Sequence, residues 1–284
     1  VLNSISIWTA ECLLLWGGLV GALAQETERR VFVMGTWLDV SADSPATAEQ
    51  AIRKIEQVEA SLSRWRAGSD IARMNAGEAV VPSPVVANAL ARAAHWQRWS
   101  EQAFHVRRQG RLDTDAFAKG AALDQALASL RQKREDHDTV MITLNFGGQV
   151  AVFGPAPWSG QLTAPLERDH AAGHPLYLAS GSLSTSGNAV KPGHIRDPAT
   201  GAPILTRGHV TVWAPTAFDA DCASTACFVL GPERALKKVN ATADLECRFE
   251  WVEQQNGRDL VHRLVSKNWR AKISTPPPKT QNTP

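Results

Sequence analysis

The sequence predicts an α+β fold. Segments with strand-like alternation and segments with helical spacing follow one another without a steady βαβ rhythm. Ser-Pro pairs open two amphipathic helices, and a Gly-Gly pair separates two alternating runs where a hairpin can turn. In order, Glu28 to Val40, containing VFVMGTWLDV, alternates as one strand. Ser44-Pro45 then supplies an N-cap and a first-turn Pro ahead of Ala48, Ile52, Ile55, Val58 and Leu62 at helical spacing. Ser83-Pro84 repeats that signal before Val86, Ala89, Leu90, Ala93 and Trp96, and Ala118 to Leu130 forms a third helix with Ala122, Leu123, Ala126, Leu127 and Leu130 inside. After Asp138 the period changes. MITLNFGGQVAVFG reads as a hairpin turned at Gly147-Gly148, PLYLASGSLSTSG as a further strand and HVTVWAP as another. Helices over Phe218 to Leu230 and Pro232 to Val239 precede two closing strands, LECRFEWVE and RDLVHRLV.

The 284 residues carry a formal net charge of +2, with 44% hydrophobic and 20% charged residues, as in ordinary globular chains. With 30 basic against 28 acidic residues there is no electrostatic footprint for nucleic acid, and none is expected as a partner. Ten Trp against one Tyr require a core or a flat ligand to cover several indoles. Residues 5–24 hold one charge, Glu11, and end in Ala22-Leu23-Ala24, the small-x-small pattern of an export signal. Residues 1–24 therefore read as a signal peptide and the protein as periplasmic. The leader lacks the usual Lys or Arg, which keeps an uncleaved membrane anchor as the alternative. Cleavage leaves Cys222, Cys227 and Cys247; the first two share a helix at a spacing that points them apart, so buried thiols are expected rather than a bridge. Residues 25–270 form the functional domain, and the Pro-rich polar stretch 271–284 reads as a disordered tail.

Phosphate-loop, dinucleotide-fingerprint, His-Glu-x-x-His, nucleophile-elbow and paired Cys-x-x-Cys motifs are absent, and no His stands at zinc-ligand spacing from a Cys or another His. Five other segments carry chemistry. Met34-Gly35-Thr36 ends a strand; SLSRWRAGSDIARMN spans Ser61 to Asn75; LDTDAFAKGAALD, from Leu112 to Asp124, places a carboxylate-rich turn and Lys119-Gly120 at a helix start, where an anion is favoured. LNFGGQVAVFG offers a Gly pair for close approach. The fifth is double: SGNAVKPGHIRDPATGAP, with His194 in a loop where an imidazole can deprotonate a hydroxyl, and FDADCASTACFVLG. There Asp221 and Thr225 stand four apart on one helix face, hard oxygens that suit Mg²⁺ better than Zn²⁺.

Met-Gly-Thr, a Ser-rich arm ending in Asn, Asp-x5-Lys-Gly, Asn-x-Gly-Gly, His-Ile-x-Asp-Pro-x-Thr-Gly and Ala-Asp-x3-Thr occur here in one order, from about Val31 to Leu236. In wording and order they resemble the FAD:protein FMN transferases of the ApbE type. The resemblance implies a two-lobed α+β fold with a mixed, mostly antiparallel sheet, flanking helices and an FAD cleft between the lobes. It implies an enzyme that cleaves FAD at the pyrophosphate with Mg²⁺, releases AMP and attaches FMN to a Thr hydroxyl of an acceptor protein. Carried over by motif, Met34, Trp65, Ala103, Phe104, His105, Asp113, Lys119 and Ile195 would bind FAD. The Ala116 carbonyl, Asp221 and Thr225 would hold the metal, and His194 would be the general base. The chain departs from the pattern in three places. Only HVRRQGR separates Phe104 from Leu112, the loop between Gly187 and His194 is clipped, and His105 replaces an expected Asp. A Mg²⁺-dependent FAD pyrophosphatase and a non-catalytic FAD-binding protein therefore stand as alternatives.

Overall fold

Local signals set the first layer. The Ser44 hydroxyl accepts the Thr47 N–H at 3.2 Å, and Pro45 opens α1 (Pro45–Leu62), whose apolar face of Ala48, Ala51, Ile52, Ile55, Val58 and Leu62 is buried. A computed structural model describes residues 26–132, 140–155, 158–162, 174–188 and 192–269. The export segment and the Pro-rich tail lie outside the described residues. Before α1 come β1 (Thr27–Val33) and β2 (Thr36–Ala42). The single strand expected over Glu28 to Val40 is thus two: Met34 (φ 49°) and Gly35 (φ 77°) take left-handed conformations and form a two-residue hairpin loop.

After α1 the chain adds a short helix within the Ser-rich arm, α2 (Asp70–Asn75), then α3 (Pro84–Trp99). A small hairpin, β3 (Arg107–Arg108) with β4 (Arg111–Leu112), leads to α4 (Ala118–Gln132). The hairpin expected at Gly147-Gly148 is β5 (Ile142–Phe146) and β6 (Gln149–Phe153). β7 (Trp158–Leu162) pairs with β8 (His174–Leu178), and the one strand expected over PLYLASGSLSTSG divides into β8 and β9 (Gly181–Gly187). β10 (Arg207–Ala214), α5 (Ala217–Leu230), α6 (Pro232–Asn240), β11 (Glu246–Gln255) and β12 (Arg258–Val265) complete the order.

Eight strands form one sheet in the order β1-β2-β5-β6-β9-β10-β11-β12, and every recorded pairing is antiparallel, which sharpens the expected mixed sheet. The two halves of the chain, expected as two lobes, thus contribute four strands each to a common sheet. Cross-strand pairs Leu38–Phe146, Val40–Leu144 and Ala42–Ile142 put one apolar face toward the helices. Toward the sheet centre that face becomes polar, because Ser182, Ser184 and Ser186 alternate along β9 opposite α5. The opposite face is covered by a smaller cluster of Val150, Val152, Leu176, Leu178, Leu183, Trp213 and Trp269, with Trp158 against it. α5, rich in Ala, Cys and Phe, is buried almost all round. Among the described residues no helix is long and apolar enough to cross a membrane.

Cys222, Cys227 and Cys247 are free and buried. Burial disfavours the thiolate, pushing Cys222 and Cys227 well up and Cys247 to about 12. Iodoacetamide at pH 8 should therefore leave all three unmodified in the folded protein and alkylate them in guanidinium. Peptide mass mapping checks this, and native-state labelling would contradict the buried placement.

Candidate functional site

The five segments converge through long-range backbone bonds. Asn75 acts as a surrogate strand neighbour: its amide donates to the Leu112 carbonyl at 3.0 Å and accepts the Leu112 N–H at 2.7 Å, stitching the Ser-rich arm to the Asp-x5-Lys-Gly turn. Thr114 donates to the Leu62 carbonyl at 3.0 Å, and the Asp113 carboxylate accepts the Asp115 N–H at 3.1 Å while lying 3.4 Å from Arg64 Nη1. The two hairpin turns meet where the Gly147 N–H donates to the Trp37 carbonyl at 3.2 Å; a Cβ on Gly147 would come within 2.9 Å of the Thr36 side chain. The His-Ile-Arg-Asp-Pro segment folds on itself, with Ile204 N–H donating to Ile195 carbonyl at 3.0 Å and Ala199 N–H to the Asp197 carboxylate at 2.8 Å. This holds His194 and Ile195 on a short, self-braced loop.

These elements enclose a cavity of about 1140 Å³, above the roughly 300–1,000 Å³ of most small-molecule sites. Ala103, His105, Asp113, Ala116, Lys119, His194, Ile195, Asp221 and Thr225 all line it, as do Asn145 of β5 and Gly147 and Gly148 of the β5–β6 turn. Three of the expected FAD residues do not. Phe104 is 1% exposed and packs its ring toward Phe117, drawn inward by the core. Trp65 is 81% exposed and carries the Arg64 guanidinium 4.5 Å from its ring centre. Met34 occupies the β1–β2 turn, leans on the core and donates its N–H to Glu59 Oε1 at 2.9 Å.

Asp221 is 3% exposed, one helical turn into α5. Its Oδ2 accepts the Gly120 N–H at 3.0 Å; its Oδ1 lies 3.5 Å from Ser184 Oγ and 3.8 Å from Lys119 Nζ. Burial pushes this carboxyl above its ordinary value, while Lys119 and the Gly120 and Ser184 bonds pull the other way. Ser224 bridges Ser184 at 3.2 Å and Ser186 at 2.8 Å, and Ser186 reaches Thr225 at 3.4 Å. The serines of β9 were missed as site residues in the sequence, although Ser at every second position of SLSTSG places them on one strand face. Gln149, 1% exposed, donates to the Ala217 carbonyl at 2.6 Å and had no local signal. Among the described residues no three His, Cys, Asp or Glu gather into a metal cluster. The candidate cation set is one carboxylate with a hydroxyl and a backbone carbonyl.

The model of the ApbE family matches residues 34–108 and 105–249, three quarters of the chain and every segment of the cavity. The chain belongs to the ApbE family. Curated relatives named FAD:protein FMN transferase include one from Klebsiella pneumoniae (strain 342), 36% identical over 141 residues, covering 45% of this chain and 39% of the relative. Another, from Rhodobacter capsulatus, is 31% identical over 207 residues, covering 62% of this chain and 39% of the relative. The matches thus span about two fifths of the length of these relatives. Among solved structures, the flavin transferase ApbE from Vibrio cholerae superposes with a TM-score of 0.69 at 19% identity, covering 88% of this chain and 99% of that one. The ApbE protein from Thermotoga maritima gives 0.73 at 21% identity, covering 88% and 100%. At these identities the structural likeness establishes that this ApbE-family chain shares their fold.

In this ApbE-family chain α4 and α5 touch at Gly120, where a Cβ would fall 2.5 Å from the Ala217 carbonyl oxygen and 2.7 Å from Phe218 Cα. Both are backbone atoms and cannot rotate away. Gly120→Ala should lower stability by about 1–3 kcal/mol, the range for overpacking a close-packed contact. Urea denaturation checks this, and an unchanged midpoint would contradict the close approach.

Proposed function

We propose that this chain is a Mg²⁺-dependent FAD:protein FMN transferase. The observation that carries the reading is the buried Asp221, held beside Lys119 and the start of α4 on the wall of the cavity that His194 also lines. The names of the curated relatives supply the substrate, FAD, and the protein acceptor. The donor set fits a hard cation. Asp221 Oδ1 has only long contacts, at 3.5 and 3.8 Å, so its lone pairs stay available, and Thr225 and Ala116 line the same cavity. Asp221, Thr225 and the Ala116 carbonyl would hold Mg²⁺. When bound, the ion neutralises charge that builds on the phosphate oxygens during phosphoryl transfer.

The residues of the chain do the remaining work. Lys119 offers a positive charge to the pyrophosphate, and Ala103, His105, Asp113 and Ile195 line the space for the rest of FAD. His194 takes the proton of the acceptor Thr as its hydroxyl oxygen bonds to the FMN phosphorus; the bridging P–O bond breaks and AMP leaves with that electron pair. The closed turn from Ile195 to Ile204 fixes the imidazole's place at the rim, where an acceptor can enter. The apolar segment 5–24 supports export, which would place this reaction in the periplasm.

The purified protein, incubated with FAD, Mg²⁺ and a Thr-containing acceptor, should yield an in-gel fluorescent acceptor and free AMP. FMN and AMP without labelled acceptor would make it a pyrophosphatase, and bound, intact FAD would make it a carrier. Asp221→Ala should abolish AMP release in Mg²⁺; release at the wild-type rate would refute the metal assignment. His194→Ala should still bind FAD, read by flavin fluorescence, and transfer FMN roughly 10²–10⁴-fold more slowly. Loss of FAD binding instead would assign His194 to structure.

A further inference from the structure

The two helices that carry the anion and cation groups are tied by a reciprocal pair of carboxylates. Asp221, on α5, accepts the Gly120 N–H near the start of α4 at 3.0 Å. One turn further along α4, Asp124 accepts the first N–H groups of α5, Ala217 at 2.7 Å and Phe218 at 3.3 Å. These are donors that no intrahelical carbonyl satisfies. Asp124 is itself held by Arg92 of α3, whose Nη1 lies 3.0 Å away, while Arg92 Nη2 donates to Thr216 Oγ1 at 2.8 Å and lies 3.2 Å from Asp219. The Arg92 guanidinium also covers the Phe218 ring at 4.2 Å, and Trp96 donates to Asp219 at 2.9 Å. Gln149 holds the Ala217 carbonyl from the sheet side.

We infer that Asp124 is a positioning residue: by capping the N-terminus of α5 from α4 it sets the register in which Asp221 faces the cavity, and so sets cation affinity. This rests on the metal assignment above. The argument is geometric. Asp221 lies four residues beyond Ala217, one turn, so a shift of the helix start moves its carboxylate by the same amount. Gly120 permits the contact but cannot enforce it, having no side chain, and the Asp221–Gly120 bond fixes only one oxygen. Asp124 has two backbone donors and a guanidinium, enough to define both distance and rotation. Groups that orient metal ligands typically change metal affinity or activity by 10–100-fold when removed.

The test uses the whole protein with Mn²⁺ alone as probe, followed by its electron paramagnetic resonance, and FAD affinity in EDTA by fluorescence. Asp124→Ala should raise the Mn²⁺ Kd roughly 10–100-fold and leave FAD affinity within about twofold. Asp124→Asn, which keeps an acceptor for the α5 donors, should recover most of the Mn²⁺ affinity; if the Ala variant does not fold, Asn carries the test, with a Kd raised about two- to tenfold. Adding Asp124→Ala to Asp221→Ala should cause no further loss of Mn²⁺ binding. Wild-type Mn²⁺ affinity in folded variants, or equal losses toward Mn²⁺ and FAD, would overturn the positioning role while leaving the metal assignment standing. A wild-type protein that binds no Mn²⁺ would overturn both.

Discussion

A carboxylate buried in a helix that is enclosed on nearly every side is the constraint on which the rest of the molecule depends. Asp221 lies among Ala220, Cys222, Ala223 and Ala226, all buried, in the most enclosed helix of the fold. Removing an ionised group from water costs several kcal/mol unless partners replace the lost hydration. Each partner makes its own structural demand. The Gly120 N–H requires α4 to approach α5 so closely that no Cβ fits between them. The Ser184 hydroxyl requires the apolar face of the sheet to turn polar where β9 passes beneath α5. Lys119 must project from the first turn of α4 toward the same point. Sheet composition, helix spacing and the placement of one Gly thus follow from keeping one charge inside.

The far side of the sheet shows the same physics with a different outcome. Glu250, 2% exposed, is pushed up by burial, but contacts with Arg248, His209 and Arg263 outweigh that and leave it below its ordinary value. Asp221 has one ammonium at 3.8 Å and stays raised. The difference is one of supply: guanidinium groups in direct contact replace hydration for Glu250, whereas Asp221, on the cavity wall, has one backbone N–H at 3.0 Å and longer contacts to Ser184 and Lys119. A carboxylate whose needs are met internally is a structural group. One whose needs are met only in part, on a cavity wall, has capacity left for a cation. His209 completes the contrast, since burial holds its imidazole below the usual value beside an already satisfied carboxylate.

Much of this architecture was legible in the residues, and the parts that were not share a cause. Ser44-Pro45, Ser83-Pro84 and Gly147-Gly148 are local signals, and the elements they announce begin or turn where expected. The β1–β2 hairpin was hidden because Met34, a residue rarely found at positive φ, takes the first turn position and VFVMGTWLDV alternates straight through it. The cavity wall was legible at Asp113, Lys119, His194, Asp221 and Thr225 because order along the chain identified them together. Trp65, Phe104 and Met34 do not line the cavity, because side-chain direction in a loop or turn is set by packing that periodicity does not report. The Arg64 guanidinium beneath Trp65 and the Phe117 ring beside Phe104 decide these cases. Arg92, Asp124 and Gln149 act on α5 from 68 to 124 positions away, a distance at which no periodicity speaks.

The short link between Phe104 and Leu112 bears on how the cavity meets solvent. HVRRQGR folds into the β3–β4 hairpin, turned at Gln109 (φ 52°) and Gly110 (φ 79°), and nothing longer stands between that hairpin and the mouth. Arg107 and Arg108 are exposed and line the entrance together with Arg64, His105 and Gln109. Inside, Lys119 is partly exposed beside the buried Asp221. Positive charge therefore runs from the rim inward, while the carboxylates of Asp113 and Asp115 are held by Arg64. For an anion this gradient favours entry, most strongly within the roughly 8–10 Å over which physiological salt leaves charges unscreened. A link of seven residues cannot bury those arginines under a further layer of chain, so they remain available to solvent and to whatever approaches the cavity from outside. This short link thus supplies the charge at the entrance.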